Sequence, residues 1–74
     1  MTFDQACEAI IRAARLAGPS ALLHYAASYA KAGLGMTGEA RKVQTLYILN
    51  NLGGWRGDEA KQVRMMMRMI GGVK

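Results

Sequence analysis

Gly33-Leu34-Gly35-Met36-Thr37-Gly38 reads literally as G-x-G-x-x-G, the pattern whose glycines let a backbone turn approach a dinucleotide pyrophosphate. That chemistry needs a strand before the loop and, after it, a helix whose N-terminus faces the phosphates. The residues preceding Gly33 have helical character, and no set of strands exists to build a parallel sheet. The loop is therefore expected to be a plain connection between helices, with no cofactor. His24 is the only histidine, and neither Cys7 nor any acid lies near it at a ligand spacing. Because metal sites generally need roughly three or four converging ligands, no metal is expected and His24 is placed on the surface.

Cys7 falls on an apolar stripe, where a buried and inert thiol is the usual state; an activated thiolate requires a nearby positive charge. Asp4 and Glu8 face solvent beside Arg12, and Asp58 and Glu59 are explained by the start of a helix. No paired carboxylates and no nucleophile–base arrangement emerge, so the chain is not expected to be an enzyme and has no candidate catalytic residue.

The elements that position these residues follow from periodicity and punctuation. Seventy-four residues make one domain, and a chain this short buries only roughly 60% of its unfolded surface, so its core is thin and self-association would help it. No apolar run approaches the ~20 residues of a membrane span, and the start, MTFDQACEAI, lacks the features of a signal peptide, so a cytoplasmic protein with no membrane partner is expected. One cysteine allows no internal disulfide, in keeping with a reducing compartment.

Thr2-Phe3-Asp4-Gln5 fits a capping box, and the first helix runs to about Ala17 with Phe3, Cys7, Ile10, Ala14 and Ala17 on one stripe. Gly18-Pro19 breaks it and Pro19 suits the first turn of a second helix, which carries Leu22, Leu23, Tyr25 and Tyr29 for packing, has Ser20, His24, Ser28 and Lys31 on its wet side, and stops at a left-handed Gly33. A third helix from about Gly38 to Leu52 contains Leu46-Tyr47-Ile48-Leu49, apolar on every side, and is expected to be central with Leu46, Ile48 and Leu49 largely buried. The same run as a strand would have no partner. A fourth helix begins near Gly57-Asp58-Glu59 and ends at Gly71-Gly72. The fold class is all-α: a single compact domain, residues 1–74, of about four short helices.

A helix-turn-helix around Gly33 would direct Glu39 and Lys42 into the contact between its helices, and one around Gly53 would direct Glu59 and Gln62 there; polar residues at those positions disfavour it. The net charge of +5 is nonetheless uneven, with three basic and two acidic residues in 1–38 against seven and three in 39–74. A basic C-terminal half keeps nucleic acid as a possible partner.

Val43-Gln44-Thr45-Leu46-Tyr47-Ile48-Leu49-Asn50-Asn51-Leu52, followed by Trp55-Arg56-Gly57 and Ala60-Lys61-Gln62-Val63-Arg64, resembles a pattern near the C-terminus of small uncharacterised helical proteins of phages, prophages and plasmids. The resemblance implies no known activity; it suggests a mobile-element accessory protein of a bacterial host.

Trp55 precedes the fourth helix and is expected to staple onto Ala60 and Val63 as part of the core, with Arg56 capping carbonyls or solvated. Around that helix, Ala60, Val63, Met66, Met67 and Ile70 suffice for a core stripe, whereas Met65 and Met69 fall on the far side beside Lys61 and Arg68, with Arg64 continuing the basic strip. Lys61, Arg64, Met65, Arg68 and Met69 are the candidate partner-binding residues. The function expected is that of a non-enzymatic interaction protein that binds a host or phage protein or self-associates; the alternative is a nucleic-acid-binding accessory or regulatory protein that uses the basic half.

Overall fold

In the computed structural model, which describes residues 1–18 and 23–72, the chain opens with the capping box that its first residues spell. Gln5 N–H donates to Thr2 Oγ1 at 3.1 Å, and Thr2 N–H donates to Gln5 Oε1 at 2.9 Å. Helix α1 (Phe3–Ala17) follows, then α2 (Leu23–Gly33), α3 (Gly38–Asn50) and α4 (Asp58–Gly71). The domain is all-α, with four helices and no strand among the described residues. The expected start of the second helix at Pro19, with Ser20 and Leu22, lies outside the described residues.

The helices pack as a ring in which α1 lies against α2 and α4, α3 lies against the same two, and α1 and α3 stand diagonally opposite. Small residues set how closely the α1–α2 pair approaches: Ala6, Ala9, Ala26, Ala27 and Ala30 are all buried. Larger side chains fill the middle, with Phe3, Cys7 and Ile10 from α1 meeting Ile48, Leu52, Val63 and Met67. Gly33 sits in close quarters rather than in a left-handed turn: a Cβ there would lie 3.2 Å from both Gln44 Cγ and Phe3 Cζ, and these side chains would have to shift. The positive-φ positions in that connection are Gly35, at φ 82°, and Gly38, at φ 60°, and the expectation of a left-handed Gly33 is corrected accordingly.

Helix α3 is not the central helix. Ile48 is fully buried and Leu49 half-buried, but Leu46 is 39% exposed and Tyr47 49% exposed. The physical reason is the ring itself: α3 is flanked by α2 and α4, and α1, diagonally opposite, meets it only through long side chains such as Phe3, so the apolar run 46–49 still presents part of its circumference to water. Its second fully buried residue is polar. Thr45 is accommodated because its hydroxyl donates to the Arg41 carbonyl at 2.7 Å.

Surface features tie the helices at low energy. Arg12 and Glu59 form an exposed ion pair at 3.5 Å between α1 and α4, worth about 0–1 kcal/mol. The Tyr29 and Tyr47 rings stack at 5.5 Å across α2 and α3, where Gln44 Nε2 donates to the Tyr29 carbonyl at 2.7 Å. No described helix is long and apolar enough to cross a membrane.

Ile48 and Leu46 therefore differ in energetic weight although they are two residues apart on one helix. Ile48→Ala is expected to cost about 2–5 kcal/mol and Leu46→Ala about 1 kcal/mol, read as the shift in urea midpoint at constant m-value. Equal costs for the two would place α3 deeper in the fold than this packing does.

Candidate functional site

Helix α4 has two unlike faces. Ala60, Val63, Met67 and Gly71 recur at three- and four-residue spacing and are buried. Met65 and Met69, four residues apart on the opposite side, are 64% and 78% exposed. The Gly72 cap in left-handed geometry, at φ 72°, stops the helix just beyond them. Half-buried Met66 and exposed Met1 and Gln62 complete a shallow groove of about 330 Å³ with these two methionines. Lys61 and Arg68 are exposed along the other edge. Unbranched thioether side chains adapt to a partner's shape, so this is a deformable apolar strip edged by positive charge.

Arg64 does not belong to that strip. Its Nη2 donates to the Leu52 carbonyl at 3.1 Å and also to the Trp55 carbonyl, both in the connection between α3 and α4. Of the two roles expected for Arg56, capping carbonyls or lying solvated, the first falls to Arg64 and Arg56 itself is exposed. Spacing along a helix could not show this, because the carbonyls lie across a loop that returns to the side of α4. Trp55, half-buried, packs against the core cluster.

The remaining candidate groups are occupied within the fold. In the G-x-G-x-x-G loop, Gly35 N–H donates to Asp4 Oδ1 at 3.3 Å and Met36 N–H to the Gly33 carbonyl at 3.0 Å. The loop joins two helices and no strand precedes it. His24, expected on the wet side of α2, is half-buried and donates from Nε2 to the Gly18 carbonyl. Cys7 is fully buried, and burial, followed by the nearby Asp4 and Glu8 carboxylates, raises its thiol from 9.0 to about 12. No group of three or more His, Cys, Asp or Glu side chains converges among the described residues.

Two expectations are corrected. Tyr25 and Tyr29, expected to pack against neighbouring helices, are 64% and 38% exposed, and with Tyr47 and Val43 they leave apolar surface on the outside of α2 and α3. The four-residue spacing of Tyr25–Tyr29 and of Val43–Tyr47 was the available signal. Two cations of the basic half are also engaged internally. Arg41 lies 5.9 Å over the Phe3 ring, and the Lys42 chain reaches the C-terminal end of α4 beside Gly72.

Removing the Arg64 clamp is expected to cost about 1–3 kcal/mol in Arg64→Leu, with Arg64→Lys recovering part of it, as measured by urea unfolding; an unchanged midpoint would show the clamp to be idle. For Cys7, the folded thiol lies above its unfolded value, so its contribution to stability is complete below about pH 9 and is lost as pH rises toward about 12. Relative to Cys7→Ala, the parent should lose stability across that window, and at pH 8 iodoacetamide should label the parent far faster in urea than in buffer. The chain matches no protein-family model, no curated protein and no solved structure.

Proposed function

We propose that this chain is a non-enzymatic interaction domain whose α4 outer face receives a protein partner or a second copy. One observation carries the proposal: Met65 and Met69 are 64% and 78% exposed on a helix whose buried stripe is already complete without them. Large exposed apolar side chains in adjacent turns are the composition of a contact surface. Lys61 and Arg68 alongside favour a partner with acidic groups at its rim, which would speed encounter more than it tightens the complex. The resemblance of residues 43–64 to small proteins of phages, prophages and plasmids supports the further proposal that the partner is a host or phage protein.

The alternative, a nucleic-acid-binding protein that uses the basic C-terminal half, has less support. Arg41 and Arg64 are half-buried in contacts within the fold, which leaves Lys42, Arg56, Lys61 and Arg68 as the exposed cations among the described residues of that half. So few phosphate contacts confer little affinity at physiological salt.

Met65→Glu with Met69→Glu should change stability by no more than about 0.5 kcal/mol, a melting shift of roughly 2–4 °C. The same pair should abolish self-association in sedimentation or capture of a partner from nuclease-treated lysate. A variant that stays folded and still binds places the interface elsewhere, and one that unfolds returns both methionines to the core.

A further inference from the structure

From Ala9 to Gly38 the chain carries Arg12, Arg15, His24 and Lys31 and no aspartate or glutamate. The packing of α2 on α1 gathers three of these four side chains. Arg15 from α1, with His24 and Lys31 from α2, surround a cleft of about 150 Å³ whose remaining lining is Ile11, Ala14 and Ala27. The fourth, Arg12, is turned toward Glu59 of α4. No described carboxylate pairs with Arg15 or Lys31.

Arg15 and Lys31, both exposed, bring like charges from two helices to the rim of an apolar floor with no acid in the lining. His24 is held in place by its bond to the Gly18 carbonyl, which fixes the imidazole as a wall of the cleft. The volume is several times the ~10–15 Å³ of accessible space that one water needs, and suits one small polyatomic ion rather than a nucleoside.

We propose that this cleft binds a phosphate-type oxyanion. The Arg15 guanidinium supplies a planar fork that matches two oxygens, Lys31 supplies a point charge from the facing helix, and the bound anion relieves the repulsion between them. The site is built by α1 and α2 and is independent of the α4 face. The shared chemistry is a tetrahedral phosphate oxygen set, carried either by a free phosphate compound or by the phosphodiester backbone of a nucleic acid.

The test is an NMR titration of the ¹⁵N-labelled full chain with inorganic phosphate, and separately with a twelve-nucleotide oligothymidylate, each against chloride at matched ionic strength. Saturable shifts centred on the amides of Arg15, His24, Ala27 and Lys31 are expected in at least one arm, and the responding arm identifies the source. Arg15→Gln with Lys31→Gln should weaken that binding about tenfold or more, whereas Arg56→Gln with Lys61→Gln should leave it unchanged. All four substituted residues are exposed, so circular dichroism should show both variants folded. Shifts that merely follow chloride in both arms, or equal binding by the Arg15/Lys31 variant, overturn the proposal.

Discussion

The Arg64 guanidinium, donating to the carbonyls of Leu52 and Trp55, is the contact on which the rest of the arrangement turns. Leu52 is almost wholly buried and Trp55 packs against the core, so their carbonyls sit where water has limited access. A charged donor there is worth more than a neutral one, of order 1.5–3 kcal/mol. The contact also agrees with the rotation of the helix. With Ala60, Val63 and Met67 buried, the 100° step of a helix directs Met65 and Met69 outward and leaves Arg64 at the side that faces the α3–α4 connection.

A thin core explains the distribution of apolar surface. The four helices form a ring rather than enclosing one of their number, so no helix is covered on all sides. Exposed apolar groups are then common, and exposure alone does not mark a site. Tyr29 and Tyr47 cover part of each other by stacking, and Gln44 anchors the backbone beneath them. Met65 and Met69 have no such cover on their own helix; beside them along the groove lie only the unbranched thioether chains of Met1 and Met66 and the side chain of Gln62. That contrast singles out α4 over the tyrosine surface.

Local signals were legible where they depended on neighbours in sequence. The Thr2–Gln5 box, the acidic first turn of α4 and the Gly72 stop each involve groups within a turn of one another. The inward and outward faces of α4 were likewise readable, because a single amphipathic helix carries its own contrast. The errors lay where the answer depended on what else arrives. Leu46-Tyr47-Ile48-Leu49 declares apolar sides but not how many helices cover them. Gly33 lies close to Phe3 and Gln44, a contact between distant parts of the chain. Arg64 and Arg56 are indistinguishable by type, and only the path of the α3–α4 connection decides which one meets the carbonyls.

Charge illustrates the same limit. The excess of basic residues in 39–74 suggests an electrostatic surface, yet Arg41 lies on an aromatic ring, Lys42 at a helix end and Arg64 on carbonyls. Arg41 and Arg64 are thereby held inside the fold, whereas Lys42 stays exposed. In residues 9–38 the count of cations is smaller, but no acid accompanies them and α1 and α2 bring three basic side chains to one cleft. Field strength depends on the spacing of uncompensated charges and not on their total. The half of the chain with fewer cations therefore also holds a positive site, one with no acid in its lining.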